Sequence, residues 1–247
     1  MKISANESPK GEVSGDSALQ SFTLESLESA VNYHAWLVSL AVPYLGDDPV
    51  ELGSGLGDYS QRYLAAGAPK VTATELDPSR VAYLTTRLAG EPRVQVKRMD
   101  VLAPDPGSHS CLVAFNVLEH IEDDVAALRG AHTMVRPGGR VVMLVPAFPF
   151  AMGAFDRKVG HFRRYTLKTL RAAYEAAGLE VEEIKYVNLP GLLTWFVAVR
   201  LLRMTPSDGL MVRVWDRIVT PRARAWEAKH RVPFGQSALC VGRVPTS

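Results

Sequence analysis

The sequence predicts a doubly wound α/β domain with a mainly parallel sheet. Short runs rich in β-branched residues alternate with segments of helical spacing between residues 50 and 146, which is the pattern of repeated βαβ units. A glycine-rich turn joins the first of these runs to a helix, and polar side chains close the runs that follow. The 247 residues, 47% of them hydrophobic, are enough to bury a core without disulfides or a structural metal.

Five candidate strands lie in this part of the chain. Each is a short apolar run, and together they cover residues 50–52, 70–75, 94–99, 110–116 and 140–146. Segments of helical spacing separate them at residues 59–66, 79–89 and 123–135. Gly67, Gly90 and the Arg-Pro-Gly-Gly turn at 136–139 mark the ends of these helices.

The pattern changes after the fifth strand. A helix is predicted at 166–177, with Thr166 as its N-cap and Gly178 at its end. Two further strands are predicted at 179–187 and 237–244.

Helical segments are also predicted outside the sheet. Residues 189–234 are helical and apolar on one side, so we expect an insertion or lid over the carboxyl edge of the sheet. Residues 19–45 are predicted to form an N-terminal helical cap, after a polar, flexible leader at 1–18. The chain from 19 to 247 is therefore expected to form a single domain.

Charge and cysteine usage narrow the functional class. The net charge of only +2 argues against a nucleic-acid partner, whose binding surface is usually strongly basic. Cys111 and Cys240 lie in apolar runs, so we expect buried thiols in a reducing cytoplasm and no metal site. The longest apolar stretch, 189–204, is interrupted by arginines and is too short for an integral membrane span.

The glycine-rich turn predicts the charge of its ligand. Gly53, Gly55 and Gly57 alternate between the first strand and a helix N-terminus, where a ligand can approach the backbone closely. A dinucleotide loop would place a third glycine where Asp58 stands. Asp58 and Glu51 would repel a pyrophosphate, so the local charge favours a cationic ligand.

Polar residues end the next three strands. Glu75 lies about 20 residues beyond the loop, the spacing at which an acid meets ribose hydroxyls. Asp100 ends the third strand and could accept from an adenine amino group, and Asn116 ends the fourth. Each acid alone could equally be a helix cap or a solvated loop residue. Together they lie where open α/β sheets bind ligands.

These residues carry a resemblance to a known family. Residues 51–57, Glu-Leu-Gly-Ser-Gly-Leu-Gly, resemble motif I of the class I S-adenosylmethionine-dependent methyltransferases, and residues 116–120 and 135–140 look like two further segments of that family. The resemblance implies a seven-stranded, Rossmann-like sheet in the order 3-2-1-4-5-7-6 with strand 7 antiparallel. It also implies S-adenosylmethionine as cofactor and S-adenosylhomocysteine as product. The residues expected to bind the cofactor are Tyr33, Glu51, Gly53, Ser54, Gly55, Gly57, Glu75, Leu76, Asp100, Val101, Asn116 and Val117.

A narrower resemblance points to bacterial small-molecule methyltransferases of types 11 and 12. Those proteins carry segments similar to residues 32–36, 160–165 and 234–237 of this chain. Many have no assigned substrate, and others resemble enzymes that modify natural products or lipid-linked molecules. The resemblance therefore implies fold and cofactor but leaves the acceptor open.

The predicted substrate side follows the fifth strand. The candidate catalytic residues there are Asp156, His161, Arg163, Arg164 and Tyr165. His161 could be a general base, while an arginine could bind a carboxylate or phosphate. Adjacent side chains on an extended segment point opposite ways, so only one of the two arginines is expected to face the pocket. The alternative is a surface loop whose arginines pair with Asp156 or with helix ends.

The acceptor is expected to be a small molecule, and an anionic amphiphile such as a prenyl or lipid phosphate would suit apolar walls and arginine. The apolar 189–204 segment could line such a pocket, form a homodimer face, contact a membrane surface or be a buried helix.

Two other functions remain open: a nicotinamide-dependent oxidoreductase on a related fold, and a non-catalytic cofactor-binding paralogue. A nucleic-acid methyltransferase would need an Asn/Asp-Pro-Pro-aromatic run where residues 116–118 read Asn-Val-Leu.

Overall fold

The computed structural model describes residues 15–16, 30–197 and 210–246. Seven strands in these residues form one sheet in the order β3-β2-β1-β4-β5-β7-β6, as predicted. The strands are β1 Pro49–Leu52, β2 Val71–Glu75, β3 Val94–Arg98, β4 His109–Phe115, β5 Val135–Pro146, β6 Glu180–Val187 and β7 Ser237–Arg243. β1 to β5 pair in parallel, whereas β7 runs antiparallel to both β5 and β6.

Helices cover both faces of the sheet, as the alternating pattern predicts. They are α1 Val31–Ala41, α2 Asp58–Ala65, α3 Pro78–Arg87, α4 Asp124–Met134, α5 Ala154–Lys158, α6 Leu167–Ala176, α7 Leu189–Trp195 and α8 Leu210–Glu227. The Thr166 side chain accepts from the Thr169 N–H at the start of α6, and Gly178 follows its end with φ +80°, as predicted.

Two predicted helical regions lie partly outside the described residues. α1 falls within the predicted cap at 19–45, of which residues 19–29 are not described. α7 and α8 fall within the predicted insertion, of which residues 198–209 are not described. Among the described residues, no helix combines the length and the hydropathy needed to cross a bilayer.

The core forms two layers, one on each face of the sheet. Leu112 and Ala114 of β4 pack with α4 and α6 on one face, while Val113 and Phe115 pack with α1 and α2 on the other. β4 is therefore buried on both faces, which is why its sequence is a continuous apolar run. Cys111 and Cys240 are free and buried, as expected, and burial raises the pKa of both thiols.

β5 differs from the prediction at its start. It begins at Val135, which pairs with His109, whereas the sequence predicts a turn at 136–139 and a strand from 140. The ladder resumes at Arg140, opposite Cys111, so the four residues bulge out of a strand that continues beyond them. Gly138 permits this with φ +79°.

Two acids of α8 cap other helices, and the buried Asp216 joins the insertion to the cap. Asp216 accepts hydrogen bonds from the backbone N–H groups of Asn32 (3.0 Å) and Tyr33 (2.8 Å) at the start of α1. Glu227 accepts from the N–H groups of Asn188 and Leu189 at the start of α7, both at 2.9 Å. Each carboxylate satisfies N–H groups that a helix start leaves without an intrahelical partner.

Candidate functional site

The glycine-rich loop after β1 has a conformation that needs glycine. Gly53, Gly55 and Gly57 all have positive φ, at +68°, +55° and +86°. A Cβ on Gly53 would lie 2.6 Å from Cγ2 of Val117, and one on Gly57 would lie 2.9 Å from Cδ2 of Leu84. The loop is therefore packed tightly against the segment after β4 and against α3.

Hydrogen bonds tie this loop to the end of β2. The Ser54 N–H donates to the Thr74 carbonyl at 2.8 Å, and the Thr74 N–H donates to Ser54 Oγ at 3.1 Å. The Thr74 hydroxyl donates to the Glu51 carbonyl at 2.7 Å. These reciprocal bonds fix the position of Glu75, the next residue of β2, relative to the loop.

The Glu75 carboxylate lies directly beside the loop. It is buried, with Oε2 accepting from the Gly55 N–H at 3.1 Å and Oε1 accepting from the Leu76 N–H at 2.8 Å. A carboxylate has about four acceptor positions, so both oxygens can take a further donor. The geometry thus suits a ligand with two neighbouring hydroxyls.

Glu51 and Asp58 act less directly on a ligand than the sequence predicts. The buried Glu51 carboxylate accepts from the Ser60 hydroxyl of α2, and burial raises its pKa to about 7, against the lowering effect of the Ser60 and Ser54 hydrogen bonds. Asp58 pairs with Arg87 at 2.8 Å. The charge argument for a cationic ligand is therefore weaker than the sequence alone predicts, because one carboxyl is enclosed and the other is compensated.

The remaining predicted cofactor residues lie at the same edge of the sheet, with different exposures. Asp100 is partly exposed and accepts from the Leu102 N–H at 2.9 Å. The Val101 side chain is packed in the core, so only its backbone can face a ligand. Asn116 is exposed, with φ +55°, and its N–H donates to the Leu144 carbonyl at 2.8 Å.

Tyr33, which is expected to bind the cofactor, lies on the cap helix α1. Its side chain lies near those of Ser237 and Asn188, and burial raises the pKa of the phenol to about 12. Ser237, at the start of β7, pairs with Val187 at the end of β6 and with Pro146 at the end of β5. Tyr33 therefore lies beside the end of β6 and the start of β7, at the side of the sheet where the acceptor is expected.

After β5, one fully buried carboxylate organises the predicted substrate side. Asp156 Oδ2 accepts from the Gly153 N–H at 2.7 Å. Its Oδ1 lies 2.9 Å from Nδ1 of His161 and 2.8 Å and 2.7 Å from Nε and Nη2 of Arg164. Burial alone would raise the pKa of Asp156, but the hydrogen bond to His161 and the Arg164 charge reverse this effect and lower it.

The position of Arg164 agrees with the alternative in which an arginine of this segment pairs with Asp156, and not with an anion-binding role. Arg164 is buried, with 5% of its surface exposed, and its guanidinium also donates to the Ala147 carbonyl at 3.3 Å. The charge of Asp156 already compensates it, so its role is to hold that carboxylate.

Arg163 and Tyr165 both bind Asp124 of α4. Arg163 Nη1 lies 2.9 Å from Asp124 Oδ2, and the Tyr165 hydroxyl donates to the same oxygen at 2.8 Å. Tyr165 is 2% exposed and its pKa is raised far above the ordinary value by burial, so the predicted catalytic role is corrected to a structural one. Arg163 and Arg164 point opposite ways, as predicted, but Arg163 keeps about a third of its side chain exposed and Arg164 almost none.

His161 lies between two buried carboxyl groups. Its Nδ1 faces Asp156, and its Nε2 is 3.9 Å from Oε1 of Glu119. Glu119 is fully buried, and neither carboxylate oxygen has a hydrogen-bond partner among the described residues. Burial raises the pKa of Glu119 to about 7, although the nearby His161 charge lowers it.

His120 completes this cluster. Its ring lies edge-on to that of His161, with 4.6 Å between centroids, and burial lowers its pKa to about 3. Glu119, His120 and His161 each offer one ligand atom within 4.8 Å of the others, so they could hold a divalent cation, although the sequence predicts no metal. Glu119 was not among the candidate residues named from the sequence, although it lies in the 116–120 segment that carries part of the family resemblance.

An aromatic wall borders the same region. Phe148 has φ +64°, an uncommon conformation for a bulky residue, immediately after the end of β5. Its ring stacks on Tyr186 at 4.6 Å and lies 5.2 Å from Phe150, which in turn is 6.1 Å from Phe196 of the insertion. This region, where the acceptor is expected, is therefore apolar as well as charged.

Comparison with known proteins agrees with this geometry. Residues 50–141 match a family model described as a methyltransferase domain. The chain is 30% identical to the ubiquinone biosynthesis O-methyltransferase of Xanthomonas campestris over 196 residues, which is 72% of this chain and 80% of that protein. The matched stretch is only 37% of another curated relative, an uncharacterised protein of Streptomyces fradiae.

Solved structures share the fold. An S-adenosylmethionine-dependent methyltransferase from Mesorhizobium loti superposes with a TM-score of 0.58 at 18% identity, covering 84% of this chain and 95% of that one. A geranyl diphosphate methyltransferase in complex with GPP and sinefungin superposes with a TM-score of 0.60 at 14% identity. The match covers 85% of this chain and 77% of that one. The sheet order, the glycine loop with its acid on β2, and the similarity to the Xanthomonas protein lead to one conclusion: the chain belongs to the class I S-adenosylmethionine-dependent methyltransferase family.

Proposed function

We propose that this protein transfers a methyl group from S-adenosylmethionine to a small-molecule acceptor and releases S-adenosylhomocysteine. The observation that carries the proposal is the Glu75 carboxylate, buried and held beside the Gly55 N–H at 3.1 Å. In that place it can accept both hydroxyls of a ribose, while the bare backbone of Gly53 and Gly55 lets the ligand approach. Asp100, two residues beyond the end of β3, supports the proposal as an acceptor for an adenine amino group.

The cofactor would supply the chemistry when bound, because its methyl group is carried by a sulfonium that departs as the neutral thioether S-adenosylhomocysteine. This chain then has to position the acceptor and remove its proton where the acceptor is a hydroxyl. His161 can do the second task. With its Nδ1–H donated to Asp156, Nε2 is left as the proton acceptor, and the charge that forms lies between Asp156 and Glu119.

Arg164 and Asp156 act through His161 and do not touch the acceptor. Arg164 holds the carboxylate in place, and the carboxylate holds the imidazole ring and its tautomer. Arg163 is also paired, with Asp124, but it remains about a third exposed, and this exposure makes it the better candidate to contact an anionic group on the acceptor. The sequence leaves open which of the two arginines contacts the acceptor, and this proposal chooses Arg163.

The acceptor in this proposal is an apolar molecule, with or without an anionic group. The aromatic wall of Phe148, Phe150 and Phe196 supports the apolar part. The Xanthomonas relative, named as a ubiquinone biosynthesis O-methyltransferase, and the neighbour in complex with GPP support an isoprenoid-like acceptor, and the former supports transfer to oxygen. Residues 19–247 form one catalytic domain in this account, with the 189–234 insertion beside the acceptor end.

The test combines binding with turnover. Calorimetry should show S-adenosylhomocysteine binding to the wild-type protein, and methyl transfer should be screened over phenolic, prenyl and prenyl-phosphate acceptors. His161→Asn should lose turnover by roughly 10²-fold or more while S-adenosylhomocysteine binding is unchanged. His132→Asn, on α4, is the matched control and should keep turnover. Full turnover by the His161 variant would remove the general-base assignment, and absent binding of the wild type would remove the cofactor assignment.

A further inference from the structure

The outward face of α8 combines positive charge with exposed apolar side chains. Arg213 and Arg217 are exposed one helical turn apart, and Arg224 lies on the same side. Beside them, Val214 and Ile218 leave 46% and 49% of their surfaces exposed. Pro221 and Ala225 extend this apolar stripe by two further positions of helical spacing.

The acids of α8 do not balance this charge, because both serve other helices. Asp216, 4% exposed, caps the start of α1, and Glu227 caps the start of α7. Among the described residues, Arg213, Arg217 and Arg224 form no ion pair. The face is therefore cationic throughout its described length.

The apolar surface continues onto α7. Leu193 and Val197 leave 61% and 51% of their surfaces exposed. A groove of about 300 Å³ separates the two helices, and it is lined mainly by aliphatic and aromatic groups. Trp226, 48% exposed, stands on its wall beside Arg222. We call this surface, formed by the exposed residues of α7 and α8, the α7–α8 face.

Charge decides between the two partners that an apolar face could have. A symmetric contact with a second copy would bring Arg213, Arg217 and Arg224 against the same arginines, with no exposed acid on the described face to pair with them. An anionic lipid surface complements this pattern, since arginine binds phosphate groups and aliphatic and Trp side chains enter the boundary between headgroups and acyl chains.

We propose that the α7–α8 face docks on the surface of an anionic lipid bilayer. β6 ends at Val187, just before α7. Val187 pairs with Ser237 of β7, which in turn pairs with Pro146 at the end of β5. Phe196 links the face to the aromatic wall through Phe150. An apolar acceptor can thus pass from the bilayer to the site; this last step rests on the proposed function, whereas docking itself does not.

Vesicle sedimentation of the full chain tests the proposal. The wild-type protein should sediment with vesicles of phosphatidylcholine mixed with phosphatidylglycerol, and stay in solution with phosphatidylcholine alone. The double variant Arg213→Glu/Arg217→Glu should lose binding by roughly tenfold or more, because two cations near the surface become anions. Ile218→Asp should lose it as well, while both variants keep the wild-type affinity for S-adenosylhomocysteine.

The matched control is Lys168→Glu/Arg171→Glu on α6, which makes the same charge change on the opposite face of the sheet. This control should bind the mixed vesicles like the wild type. Equal losses in the control and in the α8 variant would overturn the proposal, since they would show a response to net charge alone. Absence of vesicle binding by the wild type would also overturn it, as would a dimer in solution that Ile218→Asp dissociates.

Discussion

The Arg164 guanidinium binds a single oxygen of the buried Asp156 carboxylate through two nitrogens, at 2.8 Å and 2.7 Å. The same oxygen lies 2.9 Å from Nδ1 of His161. A charged pair taken out of water is stable only while both partners remain. Arg164 therefore determines whether Asp156 can hold His161.

We expect Arg164→Met to be strongly destabilising. The substitution leaves the Asp156 charge buried without its main partner, which costs about 3–5 kcal/mol of unfolding free energy. Urea unfolding measures this, with Arg163→Met as the control. That side chain is about a third exposed, so its loss should cost about 1 kcal/mol or less. Equal effects of the two substitutions would contradict the account.

Gly53→Ala should be more damaging than an ordinary glycine replacement. Gly53 combines a φ of +68° with a Val117 methyl group 2.6 Å from the position of an added Cβ. Gly67 has φ +105° but nothing within 4 Å of such a Cβ, so Gly67→Ala isolates the backbone strain of about 1–2 kcal/mol. Thermal unfolding and S-adenosylhomocysteine titration should both show a larger loss for Gly53→Ala. If the two alanine variants behave alike, the close approach to Val117 has no energetic weight.

Asp216→Ala should loosen α1. The change removes the acceptor for the first N–H groups of that helix, which costs about 1–2 kcal/mol of stability. Hydrogen exchange should accelerate at the Asn32 and Tyr33 amides while protection in β4 stays at its wild-type level at low denaturant. Asp47→Ala, which removes an exposed pair with Arg136, should leave these rates unchanged. Unaltered exchange in the Asp216 variant would show that α8 does not fix the cap.

Glu51→Gln should flatten the pH dependence of stability. Burial raises the pKa of Glu51 from 4.5 to about 7, so folding favours its protonated form. Below pH 4.5 both states are protonated; between 4.5 and 7 the unfolded chain ionises first, and the unfolding free energy falls as pH rises. Glutamine does not ionise, so the decrease in unfolding free energy between pH 4.5 and 7 should be smaller in the variant by about 2–3 kcal/mol. Parallel profiles for the variant and the wild type would place the Glu51 pKa near its ordinary value.

The fold was predictable from the sequence because parallel strands buried on both faces read as continuous apolar runs. β4 illustrates this, since six of its seven residues are buried. The start of β5 was not predictable in the same way. The Arg-Pro-Gly-Gly sequence fits both a turn before the strand and a bulge within it, because glycine permits positive φ in either. Only the pairing of Val135 with His109 shows that the strand begins before these residues.

The site was predictable only in part. Residues that end neighbouring parallel strands must meet at one edge, which places Glu75, Asp100 and Asn116 together. The orientation of Arg164 depends on a turn that brings it back to Asp156, eight residues earlier in the chain. Local sequence does not encode that contact. Glu119 was missed because burial, which makes it unusual, is a property of the packed structure.

Binding of the methyl donor's product tests the central claim most directly. Isothermal titration separates the two ligand classes that use such a loop. The wild-type protein is titrated with S-adenosylhomocysteine and with NAD⁺, and the Glu75→Gln variant with S-adenosylhomocysteine. The account predicts binding of S-adenosylhomocysteine to the wild type, a loss of roughly tenfold or more in the Glu75 variant, and no binding of NAD⁺. Tight binding of NAD⁺ together with no heat from S-adenosylhomocysteine would contradict it.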